Sequence, residues 1–416
     1  MTRIYYDLSE LFYAMSDKIK YYGIARTIIE VGYELSTLST NICFVIYSPG
    51  HRRFFEVTPR IGHASENGTL DLGLPAAARP KRLRRSSAYS TRSAFHLAGS
   101  IFRRRSSLKR WRHIAPALVT PATLTDGILI SLSQPRVVSD YIHALKQQKQ
   151  TLKILPLLHD FIPLHENKKR TFNSNFVKDN AYILEHCGKI LANSEFTRDE
   201  LKRFSERGDL PQAKQIAVAP LAHEFRAETG EDTPLREHQG FLLCVGCTPG
   251  RKNLECVLDA MAHLQAQGAP VPDLVLAGGH RKRIDVLIAS EKYCHIRDNV
   301  RISVDPSQQE LMQLYKNAIA VVLPSLIEGW GLPAAEALWL GTPAIVSDIP
   351  VMHEVVGDLG LYFDPKDATE LAARIRTITE DPNFRNELTT KIRQRRPALR
   401  SWQDVARDII HAADTY

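Results

Sequence analysis

Short apolar runs alternate along the chain with stretches in which apolar residues return every three to four positions. Ile42 to Tyr47, Gly127 to Leu132, Lys153 to Leu158 and Lys189 to Ala192 read as strands of a first half, and Phe241 to Val245, Leu274 to Ala277, Ala318 to Leu323 and Pro343 to Val346 as strands of a second. Between them lie amphipathic segments. From Asn253 to Gln267, Leu254, Val257, Leu258, Met261 and Leu264 recur at helical spacing, and Thr27 to Leu35 is helical after a glycine turn. Alternation of this kind predicts an α/β chain of parallel sheets covered by helices. Between Phe225 and Gly240 the pattern gives way to Glu, Asp, Thr, Pro and Gln, which predicts a linker over 225–240 between domains at 1–224 and 241–398. No internal repeat is visible.

The length of 416 residues suits two cores rather than one. No apolar run approaches a membrane span, and the first ten residues lack an apolar export core, so a cytosolic chain is expected. Cysteines 43, 187, 244, 247, 256 and 294 are scattered. Cys244-x-x-Cys247 lacks a second such pair and begins inside an apolar run, so both are expected to be small core or loop residues rather than a metal or redox site.

The net charge of +8 is concentrated in one place. Twelve Lys or Arg lie between Arg79 and Arg112, no acid occurs from Leu72 through Thr125, and the rest of the chain holds 42 basic against 46 acidic residues. A solvated loop, a nucleic-acid contact and a patch for anionic lipid compete as readings. Phe95, Ile101, Phe102 and Trp111 among the cations favour lipid, and no nucleic-acid module surrounds the segment, so no nucleic-acid partner is expected.

The stretch Ile327-Glu-Gly-Trp-Gly-Leu-Pro-Ala-Ala-Glu-Ala-Leu338 reads as a chemical device. A buried strand is followed by two turning glycines and then by Pro333, a residue that opens helices. Free N–H groups and the dipole at such a helix start make a phosphate site. Glu336, one turn in, leans back toward that end and joins Glu328. Carboxylates do not bind phosphate, so the pair is expected to hydrogen-bond hydroxyls of something phosphate-linked, which describes a nucleotide sugar. Isolated acids near a helix start would be ordinary solvated residues; the glycines, proline and strand around this pair argue otherwise.

A second glycine turn, Gly246, closes the strand Phe241 to Val245 and leads to Arg251-Lys-Asn253, two cations placed to neutralise a diphosphate as a sugar bond breaks. In the first half, His159 and Asp160 follow a strand; the histidine is expected to donate to a sugar hydroxyl while Asp160 holds its tautomer, against the plainer alternative of a turn pair closing the strand. Asn193 and Ser194 follow the strand ending at Ala192 and read as an acceptor-side face, although helix capping alone accounts for Ser194. Gly23, in Tyr22-Gly-Ile-Ala-Arg26, offers backbone to a phosphate.

These motifs together resemble the retaining glycosyltransferases of family 4: Glu328-Gly-Trp-Gly-Leu-Pro-x-x-Glu336, Gly341-Thr-Pro-Ala-Ile-Val-Ser347, Arg251-Lys-Asn253, His159-Asp160, Gly23-Ile-Ala-Arg26 and Ser401-Trp-Gln403. The resemblance covers nearly the whole chain. It implies the GT-B architecture, two Rossmann-like α/β domains with parallel sheets facing across a cleft, and a metal-independent transfer of a sugar from a nucleoside diphosphate with retention, without a cofactor. By this resemblance Glu336 holds the ribose, Glu328 the sugar ring, Lys252 and Arg251 the diphosphate, and His159 the sugar on the acceptor side. The amides of Trp330, Gly331 and Leu332 complete the phosphate cradle, with Gly329 in the turn. The last segment, 399–416, looks like the helix that returns to the first domain in this fold. Two departures stand out: Cys247 occupies a place where many members carry arginine, and the basic segment 79–112 is longer than expected there.

The sequence therefore leads to an expected hexosyltransferase, mannosyl or rhamnosyl, using a GDP sugar on a lipid-linked glycan of a bacterial surface polysaccharide such as lipopolysaccharide. It is expected at the inner face of the plasma membrane, held by 79–112. A sugar-nucleotide epimerase and a noncatalytic nucleotide-sugar or nucleic-acid-binding protein are the rivals.

Overall fold

A computed structural model describes residues 3–14, 23–65, 68–72, 105–106, 108–109, 111, 119–148, 152–165, 170–226, 240–278 and 281–416. Nearly all of the basic segment 79–112 and most of the expected linker 225–240 lie outside the described residues. The chain divides into two compact units, 1–221 with 402–416, and 222–401.

The strands in chain order are β1 (Arg3–Asp7), β2 (Ile42–Ser48), β3 (Arg53–Val57), β4 (Arg60–Ile61), β5 (Leu70–Asp71), β6 (Val119–Pro121), β7 (Gly127–Ser131), β8 (Lys153–Leu158), β9 (Ile190–Ala192) and β10 (Ile216–Val218) in the first unit. The second unit holds β11 (Phe241–Val245), β12 (Asp273–Gly278), β13 (Val300–Val304), β14 (Ala318–Leu323), β15 (Ala344–Ser347) and β16 (Gly360–Phe363).

The first sheet runs β10-β9-β8-β7-β1-β2-β3-β6, parallel from β10 to β2 and antiparallel at β3 and β6. Successive strands are added on one side of β1 through β2 and on the other from β7 onward, which makes the carboxyl ends of β1 and β7 the switch point of that sheet. A buried knot closes it. Asp7 ends β1, and its carboxylate accepts from the Ser9 amide (2.8 Å), Ser131 Oγ (2.7 Å) and Ser133 Oγ (3.0 Å), as well as from the Ser9 hydroxyl. Burial raises the Asp7 carboxyl and the four hydrogen bonds lower it, with burial prevailing.

The helix Trp402–Asp414 belongs to the first unit and packs on the helix Gly23–Leu38, with Trp402 fully buried. Its last turn is held from β9's approach: buried Lys189 donates to the carbonyls of Ala412 (3.0 Å) and Thr415 (2.7 Å), a cation at a helix C-terminus.

The second sheet is wholly parallel in the order β13-β12-β11-β14-β15-β16. Numbered within the unit, this is 3-2-1-4-5-6, the doubly wound arrangement whose ligand crevice lies beyond the ends of strands one and four, here β11 and β14. β14 is buried at every residue, which is why Ala-Ile-Ala-Val-Val-Leu reads as an unbroken apolar run. β13, at the sheet edge, has only half-buried and exposed positions and carries no such signal.

Candidate active site

Two loops meet at the switch point of the second sheet. The first leaves β11 through Gly246, whose φ of +64° favours glycine, and passes Gly278 at the end of β12; a Cβ on Gly278 would lie 3.6 Å from the Gly246 backbone. Neither strand end therefore carries a side chain there. The loop then turns through Arg251 and Lys252 to Asn253, which takes a left-handed conformation (φ +56°) as the residue before the helix Leu254–Ala266. The Asn253 amide nitrogen donates to the carbonyls of Pro324 (3.0 Å) and Pro365 (2.8 Å), pinning this turn to the loops after β14 and β16.

The second loop follows β14. Its backbone is joined to the first by the Leu326 amide, which donates to the Arg251 carbonyl at 3.0 Å, and by the Arg251 guanidinium, which donates to the Ile327 carbonyl at 3.0 Å. Lys252 Nζ then meets Glu328 Oε1 at 2.5 Å, and Arg251 meets Glu328 Oε2 at 3.5 Å. Glu328 is buried. Burial alone would raise its carboxyl; the Lys252 and Arg251 charges and the Lys252 hydrogen bond outweigh that and hold it below the usual glutamate range. Two cations around one carboxylate leave a net charge of +1 at the mouth of the loop.

Gly331 precedes the helix Leu332–Trp339 with φ +109°, a conformation that favours glycine, and a Cβ there would also have to displace the Met352 methyl, 2.4 Å away. The helix opens at Leu332, with Pro333 second. The amides of Trp330, Gly331 and Leu332 donate to no acceptor among the described residues, whereas that of Ala334 is already bonded to the Gly331 carbonyl. Three consecutive unclaimed donors at a helix start, near two cations, have the chemistry that suits an anion.

Glu336 sits in a different environment. It is buried, and its Oε2 accepts from the Tyr315 hydroxyl at 2.6 Å. Tyr315 lies on the helix Gln308–Asn317, its carbonyl accepts from Thr342 Oγ1 (2.8 Å), and its ring packs edge-on against Phe225. A carboxylate offers about four acceptor sites, so hydrogen bonds from hydroxyls lie within its chemistry. Tyr315 and the pinning role of Asn253 were not legible in the sequence, because each depends on a neighbour more than twenty residues away.

Gly23, His159, Asp160, Asn193 and Ser194 belong to the first unit and are described within it. The His159 ring is held by the Leu132 carbonyl, 2.7 Å from Nε2, while Asp160 accepts from the Ile162 amide at 3.1 Å and caps the short helix Ile162–His165. This corrects the expected pairing: the Leu132 carbonyl, and not Asp160, fixes the tautomer. A carbonyl can only accept, so Nε2 carries the proton and Nδ1 is an acceptor. Burial, opposed by that bond, lowers the His159 pKa to about 4, and the neutral ring can accept from a hydroxyl rather than donate to one. Ser194 caps the helix Glu195–Glu206, its Oγ accepting from the Thr197 amide and donating to Thr197 Oγ1, both at 2.9 Å; the cap, not a ligand, uses this hydroxyl. Asn193 is buried beside it, with its carbonyl bonded by the Leu221 amide (3.3 Å). Gly23 opens its helix at φ +56° with nothing within 4 Å of a built Cβ.

Cys244 and Cys247 are buried free thiols; their mutual hydrogen bond and burial push the Cys244 thiol up, and Cys247 Sγ lies 3.2 Å from the Lys252 carbonyl. Among the described residues no group of three His, Cys, Asp or Glu is placed to hold a metal ion, and no helix is long and apolar enough to cross a membrane.

The family model for glycosyl transferases group 1 matches residues 225–395. This segment is similar to that family over its whole length, with the rest of the chain outside the match. Both loops of the switch point, Glu336 and Tyr315 lie inside the matched segment. The chain is 28% identical over 235 residues to O-antigen chain mannosyltransferase B of Escherichia coli, a match covering 55% of this chain and 61% of that protein. It is 36% identical over 196 residues to MMP alpha-(1->4)-mannosyltransferase of Mycolicibacterium hassiacum, 46% of each, and 42% identical over 88 residues to O-antigen chain mannosyltransferase RfbU of Salmonella typhimurium, 21% of this chain and 25% of that one. The matched stretch thus spans less than two thirds of each relative.

Among solved structures, sucrose-phosphate synthase from Thermosynechococcus elongatus superposes with a TM-score of 0.68 at 19% identity, covering 100% of this chain and 99% of that one. HepE from Anabaena in complex with UDP-glucose gives 0.63 at 14% identity, covering 100% of each. At such identities the likeness is one of fold. The fold is GT-B: two α/β units built on parallel sheets, with the matched segment in the second.

Proposed function

We propose that the chain is a retaining hexosyltransferase that moves a sugar from a nucleoside diphosphate to a glycan acceptor in bacterial surface polysaccharide assembly. The observation that carries this reading is the meeting of Lys252, Arg251 and Glu328 at the β11–β14 switch point, beside the unclaimed amides of Trp330, Gly331 and Leu332. The cations and amides take the diphosphate, Glu328 the sugar hydroxyls, and Glu336 the ribose diol. The Arg and Lys side chains carry the compensating positive charge, so the reading invokes no metal and no cofactor.

As the anomeric bond to phosphate lengthens, negative charge grows on the leaving diphosphate, and preorganised donors stabilise that charge more than they stabilise the bound donor. The acceptor hydroxyl attacks from the face the phosphate leaves, and a leaving phosphate oxygen takes its proton. No side chain serves as general base. Nδ1 of His159, an acceptor by its fixed tautomer, takes a hydrogen bond from a sugar hydroxyl.

Mannose and a GDP carrier are the first choice of donor, supported by relatives named as mannosyltransferases. The acceptor is read as lipid-linked, with segment 79–112 on an anionic membrane surface at the cytoplasmic side, on the strength of its sequence. Incubation with GDP-mannose, UDP-glucose and a short glycan acceptor, with the product anomer read by proton NMR, tests the reaction. A glycoside of the donor's own anomeric configuration is expected. Product of inverted configuration, or free sugar nucleotide epimer formed without acceptor, overturns it.

A further inference from the structure

The chain enters the second unit at Ala222 and leaves it at Ser401, and the residues just inside these crossings are tied to one another. The amides of His223 and Glu224 both donate to the Arg400 carbonyl, at 2.9 and 3.2 Å. The imidazole of His223 completes the join. Its Nε2 lies 2.8 Å from the Val355 carbonyl, and its Nδ1 accepts from the Arg400 amide at 3.3 Å. A carbonyl only accepts and an amide N–H only donates, so the two partners select one neutral tautomer and fix the ring plane.

That ring meets Trp330. The centroids are 6.0 Å apart with planes at 76°, an edge-to-face contact. Trp330 is 4% exposed and its indole N–H has no hydrogen-bond partner among the described residues, so its orientation there is set by packing. Trp330 stands two residues from Glu328 and supplies the first of the three unclaimed amides. The side chain that flanks this turn packs against a ring that is itself clamped at both nitrogens.

We infer that His223 is a positioning residue for the donor site: by clamping its imidazole against Trp330 it presets the backbone from Glu328 to Leu332 in the conformation that takes a nucleoside diphosphate. His223 touches no reacting atom. The inference rests on the donor-binding reading given above, and it adds a residue outside every motif of that reading.

Calorimetric titration of the full chain with GDP and with UDP tests it, using His223→Ala, His223→Gln, Lys252→Ala and, as a control, His353→Ala, an exposed histidine stacked on Tyr362 elsewhere in the unit. Trp330 emission is read as the difference between each protein and its W330F counterpart. Loss of preorganisation is expected to weaken nucleotide binding by about tenfold in H223A and to raise the donor KM more than it lowers kcat. H223Q, whose planar amide still reaches the Val355 carbonyl and lies against Trp330, recovers most of the affinity, and H353A binds as wild type. Trp330 emission changes in H223A and returns toward wild type in H223Q.

A histidine that only stabilises the fold would lower the melting temperature while leaving nucleotide affinity and Trp330 emission of the folded protein unchanged; that result overturns the inference. If H223A does not fold, His223→Leu, which fills the space but bonds neither the Val355 carbonyl nor the Arg400 amide, carries the test: about tenfold weaker nucleotide binding with a changed Trp330 signal upholds the inference, and wild-type affinity with the wild-type Trp330 signal overturns it. Loss of binding in K252A with none in the His223 variants overturns the positioning role alone, whereas wild-type binding in K252A overturns the donor-site reading beneath it.

Discussion

Replacing Lys252 by alanine perturbs two interactions that the structure lets one separate. Lys252 is the nearer of two cations on a buried carboxylate, 2.5 Å against 3.5 Å for Arg251. Removing one partner of a fully buried pair costs about 3–5 kcal/mol, but Arg251 remains and the Lys252 side chain is 21% exposed, so about 1–2 kcal/mol is expected. For a unit of this size that lowers its melting temperature by about 3–6 °C. The catalytic effect is larger: a preorganised donor aimed at developing charge is worth roughly 10²–10³ in kcat. Turnover should therefore fall by about 10²-fold or more, well beyond the loss of folded protein. A double-mutant cycle with Glu328→Gln separates the terms by melting temperature and single-turnover rate. With the carboxylate neutralised, the stability cost of K252A should largely vanish while its effect on nucleotide binding persists. Wild-type turnover in K252A, or a loss of turnover no larger than the loss of folded protein, would refute the reasoning.

Two further outcomes follow from the geometry and a third from the charge of the basic segment in the sequence. Tyr315→Phe removes the 2.6 Å bond to buried Glu336 and should cost about 1–3 kcal/mol of stability by thermal melting, with weaker binding of ribonucleotides than of a 2′,3′-dideoxy analogue as the selective readout; equal effects on both would count against Glu336 as a ribose ligand. His159 is held near pKa 4, so between about pH 6.5 and 4 the unfolded chain binds a proton that the folded one refuses, and stability falls as pH drops through that window. Glu328, whose carboxyl is depressed, acts in the same direction at lower pH, since its contribution is lost as pH falls through its folded value. Thermal melts of His159→Gln should be flatter from pH 6.5 to 4, and an unchanged slope would place the titration elsewhere. Serine in place of Lys81, Arg82, Arg84, Arg85 and Arg103 to Arg105 should abolish sedimentation with vesicles containing phosphatidylserine at 0.1 M salt, and retained binding would exclude the segment as a membrane contact.

The central strands were legible because burial on both faces leaves an uninterrupted apolar run, as in β14, Ala318–Leu323, and β11, Phe241–Val245. β1 was missed: Arg3-Ile-Tyr-Tyr-Asp7 is short and bounded by charge, although Tyr5 and Tyr6 are buried at its centre. The edge strands β10, β13 and β16 were missed because their side chains are half-buried and their composition is mixed. The antiparallel strands β3 and β6 extend the first sheet outside the parallel alternation that guided the reading. At the site, adjacency in sequence was enough to place the glycine loop, the cations and the helix start. Partnerships were not legible. Nothing in the order of residues shows that Lys252 rests on Glu328, that Tyr315 holds Glu336, or that a carbonyl from β7's end fixes His159, because each is made by bringing distant strand ends together.

The most direct measurement is a structure of the chain bound to a nucleoside diphosphate. The account predicts the terminal phosphate within hydrogen-bond distance of the amides of Trp330, Gly331 and Leu332, with Lys252 Nζ moved from Glu328 onto a phosphate oxygen and the ribose hydroxyls on Glu336. A diphosphate bound away from those amides, with the Lys252–Glu328 pair intact beneath it, would contradict it.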